Sequence, residues 1–545
     1  MRKLVLIALV ATVGCSAGGT PREGAVGSTA QSVTGTANDD HDNGKVRRLR
    51  WVTPQAAGGT SDAGAPGDGG TQSSPEPSPW KALTNPASFY AGTAMLLTDG
   101  TVMVPDLGST AWWKLTPDAT GSYLDGTWTQ LASPPNAYQP LYYASAVLPD
   151  GRVIVEGGEY QGPSPNQAET TLGAIYDPTK DQWTAIAPPA GWTTIGDAVS
   201  TVLADGRFYL ANCCTTDAAI LDPKVLTWTA FGKGKADWNA EEGWTLLPNG
   251  DLLTVDTNDF TALMNSELFT PRTGTWASAG STGVQLADVH ADESGSWEMG
   301  PQVLRPDGTV FAAGATGHNA VYHVRSGRWT PAPDFPVVAG EGQLDVADGP
   351  GVLLPDGHVL VAASWGVYNV PTHIFEFDGS RLTEMAAFPS APGDTSYQVT
   401  FLLLPTGEVL LTDQTNDVRI YSPTGCASRA WAPQIDGSCG LETLRPGSTY
   451  KLSGTQLHGL SQAVAYGDDA QAATNYPLVR ITNRATGHVF YSRTHDHSTM
   501  SIASGLDSST SFDVPANQEL GESEMVVVAN GIASDPIRVN VTKTR

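Results

Sequence analysis

The sequence predicts an all-β protein, in which seven four-stranded sheets form a radial propeller and a smaller immunoglobulin-like β-sandwich follows. Three observations carry this. A short apolar strand ending in a tight turn recurs seven times: LLTDG at Gly100, LPDG at Gly151, LADG at Gly206, LPNG at Gly250, RPDG at Gly308, LPDG at Gly357 and LPTG at Gly407. A second apolar run follows each turn, and an aromatic strand with its own turn comes later, as in IYDPTKDQW and LFTPRTGTW. After Cys439 the period stops and strands of a different spacing begin.

Each element has a local reason. Asp-Gly and Asn-Gly close hairpins because both central residues tolerate positive φ. The steps between the seven glycines are 51, 55, 44, 58, 49 and 50 residues, close to the period of about 50 that marks a kelch blade. Each unit is then a four-stranded antiparallel meander, and seven of them close a ring with only short, protected edges. The indoles of Trp183, Trp228, Trp276 and Trp329 fall at matching places, where packing between neighbouring blades is expected. The kelch-type propeller is placed at residues 79–435. Residues 441–545 hold TYKLSG, YPLVRITN, HVFYSRT, MSIAS, TSFDVP, EMVVVANG and IRVNV, whose alternation and turn signals fit an immunoglobulin-like sandwich.

The chain opens with Arg2 and Lys3, an apolar run from Leu4 to Val13, and then Gly14, Cys15, Ser16 and Ala17. The run is too short to span a bilayer and reads as an export signal over residues 1–17. Cys15 stands where a bacterial lipoprotein carries its lipid, and cleavage after Ala17 to give a secreted protein is the other reading. Membrane contact is expected only through that N-terminal lipid. Residues 18–78 are rich in Gly, Thr, Ser, Ala, Asp and Pro. They cannot bury enough apolar surface to offset their ordering entropy, and read as a disordered tether. In an exported protein Cys426 and Cys439 are expected to form a disulfide. For the adjacent Cys213 and Cys214, two buried thiols and a vicinal bridge are both open.

Composition narrows the function. With 59 Gly, 38 Pro, 15 Trp and 16% charged residues, the chain suits short strands and packed indoles rather than helix bundles. A formal net charge of -26 argues against nucleic acid, whose phosphates need a basic face, and favours cationic or neutral ligands. No nucleophile elbow, zinc-protease helix or phosphate loop occurs. A monomer is expected.

The order of an export signal, a kelch propeller and a C-terminal β domain containing YPLVRITN and THDHSTM resembles the galactose oxidase/glyoxal oxidase family, over roughly residues 80–545. The resemblance implies one copper ion at a propeller face. Its ligands would be a tyrosine cross-linked to a cysteine, a second tyrosine with an adjacent histidine, and a histidine from the C-terminal domain. The implied reaction oxidises a primary alcohol or an aldehyde and yields hydrogen peroxide. By position, the cross-linked tyrosine corresponds to Tyr142 in YYASAVLPDGR and the stacking aromatic to Tyr160 in GGEY. The second tyrosine corresponds to Tyr397 in SYQVTFLLLPTG, and the C-terminal histidine to His495 or His497 in RTHDHST. Tyr142 and Tyr397 are the catalytic candidates under that reading.

Two positions depart from the family pattern: the cysteine falls on Ala91, and the residue after Tyr397 is Gln398. Without the thiol no thioether lowers the tyrosyl oxidation potential, and without the imidazole copper loses a nitrogen donor it favours. Cys213 and Cys214 do not supply the thiol, being placed in the second strand of the next blade. His495 and His497 are open between metal binding and pinning the C-terminal domain to the propeller.

The residue eight places before the Asp, Asn or Thr that precedes each turn glycine is, in order, Ala91, Tyr142, Asp197, Glu241, Met299, Asp348 and Gln398. Equivalent positions of radial blades lie at equivalent places around the axis. These residues are therefore expected to converge at one opening, with Glu298 beside Met299 and Glu242 beside Glu241. Carboxylates gathered there repel one another and focus a negative potential. The expected ligand-binding set is Tyr142, Tyr160, Asp197, Glu241, Glu298, Asp348, Tyr397 and Gln398. The first reading is a propeller that binds a carbohydrate, a cation or a protein, since aromatic platforms and carboxylates suit sugar hydroxyls. A copper oxidase with an altered ligand set is the second, and a hydrolase or lyase using the mouth acids the third. The cofactor stays open: copper belongs to the second reading alone, and calcium is compatible with the first.

Overall fold

The strand after each turn is a continuous apolar run because neighbouring blades cover both its faces. Val102–Pro105, Val153–Glu156, Phe208–Ala211, Leu252–Val255 and Val359–Ala363 are buried at every position. The outermost strands are covered on one side, so Gln182–Ala185 and Thr275–Ser278 bury only Trp183 and Trp276. A computed structural model of the protein describes residues 78–162, 167–288, 298–437, 440–467 and 469–543. The expected export signal with Cys15, the tether through residue 77, and Cys439 lie outside the described residues. Cys426, the other half of the expected disulfide, is exposed.

Seven four-stranded antiparallel sheets result. Blades one to six run outward in chain order, from Met95–Leu96 at the inner edge of blade one to Leu382–Met385 at the outer edge of blade six. Blade seven takes Thr400–Leu403, Val409–Thr412 and Arg419–Tyr421 and is completed by Trp80–Ala82 from the other end of the propeller. Trp80 stands opposite Tyr421, with ring centroids 4.8 Å apart, and its indole N–H donates to the Ala386 carbonyl of blade six at 2.7 Å. That contact closes the ring.

Indoles tie other blades in the same way. Trp183 of blade two donates to Ala132 of blade one at 2.9 Å, and Trp228 of blade three to Ala187 of blade two at 2.8 Å. Trp329 of blade five donates to the Ser266 hydroxyl of blade four at 2.8 Å. Each indole thus covers apolar surface and still finds an acceptor for its N–H.

The C-terminal region differs from the expected pair of sheets. Its strands follow one continuous hydrogen-bonded sheet of nine. The corner is Val489–His495, whose first half pairs with Leu478–Asn483 while Arg493–His495 pairs with Asp507–Asp513. The curved sheet encloses Leu452, Val479, Ile481, Phe512, Met525, Val527 and Val539. MSIAS is not a strand: Thr499 and Met500 instead donate to the Ala204 carbonyl of the blade-three turn, at 2.8 and 2.9 Å. Gln434–Ile435, ahead of residue 441, already joins this sheet by pairing with Gly454 and Thr455.

The same region also enters the propeller. Residues 462–467 and 469–476 touch the innermost strands of five blades. Tyr476 donates to the Leu96 carbonyl of blade one, Ser145 of blade two donates to the Gln471 carbonyl at 2.9 Å, and Gln462 donates to Thr201 of blade three at 2.8 Å. Leu246 N of blade four donates to Gln462 at 3.1 Å, and Val464–Ala465 pairs with Gly351 and Val352 of blade six as a fifth strand. Such a set of partners places the segment on the propeller axis. Among the described residues no helix is long and apolar enough to cross a membrane, and helical structure is confined to short 3-10 turns.

Candidate ligand-binding mouth

Every innermost strand begins at one face of the propeller and ends in its glycine turn at the other. The C-terminal sheet covers the turn face: Thr494 N donates to Thr98 O at 3.0 Å, Arg493 Nη2 to Asp150 O at 2.6 Å, and His497 N to Pro149 O at 3.1 Å. The opposite face is the mouth, and the repeat position identified from sequence sits there. Tyr142, Glu241 and Asp348 hold φ values of 53°, 58° and 51°, and Gly196, beside Asp197, holds 69°. A non-glycine residue in this left-handed region costs on the order of 1–3 kcal/mol, and such residues cluster where a side chain must be aimed at a site.

Tyr142, Tyr397 and Gln398 line one small cavity of about 20 Å³ together with Gln414, Tyr466 and Asp469, enough for about one water. Gln414 Nε2 donates to the Tyr142 hydroxyl at 3.3 Å, and the Tyr466 hydroxyl donates to the Tyr397 carbonyl. Tyr160 lies edge-on to Tyr142 with centroids 6.2 Å apart, and the exposed Tyr368 lies edge-on to Tyr397 at 5.7 Å. The acids act on these phenols together. Burial, then Tyr397, Asp348 and Glu159, push the Tyr142 hydroxyl well above its ordinary value. Burial and Asp348 push Tyr397 up to about 12. Tyr368 is raised by burial and by Glu298, Asp348 and Glu241, in that order. The phenols therefore stay protonated near neutral pH and present hydroxyl donors beside carboxylate acceptors.

Other expected positions behave differently. Ala91 is fully buried and bridges to Asp106, and Met299 sits in an apolar cluster with Val255 and Leu286. The Gln398 side-chain oxygen accepts from its own turn, at Thr395 N, 3.2 Å away. Glu242 turns away from the mouth: it is buried 3.0 Å from the Lys235 ammonium, which also contacts Asp237 and, at 2.8 Å, Glu267. The two residues lie ahead of the strand that begins at Thr245, in a bend where Glu241 takes its left-handed φ, and the buried Lys235 ammonium claims the Glu242 carboxylate.

His495 and His497 do not join the tyrosines, and of their two expected roles the pinning one fits their place. Both belong to the turn face, at the far end of blade two from Tyr142. His495 Nδ1 is 2.7 Å from Asp496 and Nε2 is 3.3 Å from Asp513, while His497 Nδ1 is 2.9 Å from Thr510. Burial, with His458 close by, holds the His497 imidazole well below its ordinary value. The chain around them pins the C-terminal sheet to the propeller. Tyr466 and Asp469, from the axial segment, reach the tyrosines instead. The one signal for them was VAYGDDAQ, a stretch with no strand alternation lying between two strands.

The donor set answers the question of copper. The cavity offers phenol, carboxylate and amide oxygens, and among the described residues no histidine or cysteine lines it. Copper favours imidazole and thiolate, whereas an oxygen set suits hydroxyl groups or hard cations. The residues present do not fit the radical-copper centre.

A broader cleft of about 660 Å³ opens between blades five and six, bounded by Gln285, Asp288, Gln343, Asp345 and Trp365. Asp345 is raised to about 7 by burial, although its carboxylate accepts from Gly366 N at 2.8 Å. Trp365 follows the second strand of its blade as Tyr160 does in blade two, so its place was readable from the repeat.

No family model matches the chain. A kelch-like protein of Aspergillus terreus is 33% identical over 87 residues, which is 16% of this chain and 18% of that relative's length. This chain is a seven-bladed β-propeller with a kelch-like stretch. Among solved structures, a fungal alcohol oxidase in complex with copper is 14% identical, covering 85% of this chain and 98% of its own, with a TM-score of 0.47. A streptogramin B lyase is 12% identical, covering 63% of this chain and 96% of its own, with a TM-score of 0.41. Neither likeness bears on the chemistry of the mouth.

Proposed function

We propose that this kelch-type propeller is an exported binding protein that holds a hydroxyl-rich or cationic ligand, such as a glycan, across its mouth. One observation carries the reading. Protonated phenols from blades two, six and seven stand among carboxylates from blades four, five and six: Asp348 acts on all three rings, and Glu298 and Glu241 on Tyr368. Donors and acceptors in that mixture, with aromatic faces at Tyr160 and Tyr368, match the recognition needs of sugar hydroxyls, and the acids draw in positive charge. The reading rests on no catalytic step, because the cavity lacks the donors that copper chemistry uses. The C-terminal sheet is taken as an immunoglobulin-like sandwich whose two faces share the strand Val489–His495.

The test is a glycan array, followed by calorimetry on the best ligand and on calcium. Glu241→Gln with Asp348→Asn is expected to weaken binding at least tenfold, about 1.4 kcal/mol. An unchanged affinity in that double variant, with its melting temperature preserved, would remove the mouth as the site.

A further inference from the structure

Cys213 and Cys214 do not lie within the second strand of blade three. That strand ends at Ala211, and the two residues form the turn that leaves it on the mouth face. They occupy the place that Tyr160 takes in blade two and Trp365 in blade six. In an extended chain neighbouring side chains point to opposite sides. Here Cys214 adopts a left-handed φ of 65°, and the two Sγ atoms come together at 2.6 Å.

The turn is held from both sides. Cys213 N donates to Ile195 O at 3.0 Å and Cys214 N to Asn239 O at 3.2 Å. Those acceptors belong to the segments leading into Asp197 and Glu241. Gly196 leaves room for the pair, since a Cβ there would stand 3.0 Å from the Cys213 Cβ. Cys213 is half-buried and Cys214 is exposed.

We propose that Cys213 and Cys214 close a vicinal disulfide that tiles the mouth wall between Asp197 and Glu241 and acts as a redox-sensitive element of that wall. The step needs a disulfide oxidant of the glutathione or oxidoreductase class. The exposed Cys214 loses its proton, and its thiolate attacks one sulfur of the oxidant. A mixed disulfide forms and one oxidant thiolate leaves. Cys213 then loses its proton and attacks Cys214 Sγ, displacing the second oxidant thiolate. Two protons and two electrons pass from the pair to the oxidant, which ends as two thiols. Contact with Cys214 and burial, then Asp197 and Glu241, hold the Cys213 thiol well above its ordinary range, so the reduced pair is a neutral dithiol until an oxidant engages it.

The test uses the purified full chain from an oxidising compartment, alkylated before digestion without reductant. The peptide carrying both residues is expected to be two hydrogen masses lighter than the dithiol and free of label, and to take two labels after reduction. Labelling of both residues without reduction, or linkage of either to Cys426 or Cys439, would overturn the proposal. A second measurement reads the consequence. Reduction is expected to speed amide exchange over residues 212–217 while the closing strand Trp80–Ala82 is unaffected. Identical exchange in both redox states would refute the redox-sensitive role.

Discussion

Glu156 is a carboxyl group with no place for a charge. It ends the second strand of blade two, fully buried, and among the described residues neither of its oxygens has a hydrogen-bond partner. Burial pushes it well above the ordinary carboxylate range. An acid raised in the folded state favours folding most below its unfolded value, and that advantage is lost as pH rises. Glu156→Gln is therefore expected to match wild type near pH 4 and to exceed it by on the order of 2 kcal/mol at pH 8, read as the difference in urea midpoint between the two pH values. A gap that stays constant with pH would contradict the burial argument. At this scale the sequence exposed only what the repeat marks. Tyr142, Glu241 and Asp348 were readable because one register position recurs in every blade. Glu242 looked equivalent to Glu241 and was not, because its carboxylate is held by Lys235, a partner that lies outside the repeat.

The seven turns and the buried strands after them were legible because a period of about 50 residues cannot arise from unrelated hairpins. Two short elements were not. Trp80–Ala82 is three residues and Val464–Ala465 two, too few for alternation to register, and each gains its structure from partners more than a hundred residues away. The first fastens the ring. Trp80 is 3% exposed and packs on Phe388, Phe401 and Tyr421. Trp80→Ala is expected to cost about 3–5 kcal/mol and to expose the edge of Arg419–Tyr421. A large fall in melting temperature with earlier protease cleavage near residue 421 would agree. Unchanged melting would mean that the ring does not depend on this strand.

Taken whole, the molecule carries a net charge of -26 and gathers part of that charge at one opening. A cationic ligand should therefore bind more weakly as salt rises, with a clear loss between 0.01 and 0.15 M, where the screening length shrinks from about 30 to about 8 Å. Affinity indifferent to salt would point to hydroxyl recognition instead. The outline of two regions was readable from the end of the period. How the C-terminal strands join was not, because alternation says which face of a strand is buried and never which edge meets which. The axial segment was hidden for the same reason. Its position has a consequence for biogenesis. A ribosome delivers the blades first, and Tyr466 and Asp469 only after the seventh, so the chamber acquires its floor last. A chain released early would be a ring with an open bore, unable to grip what the finished protein holds.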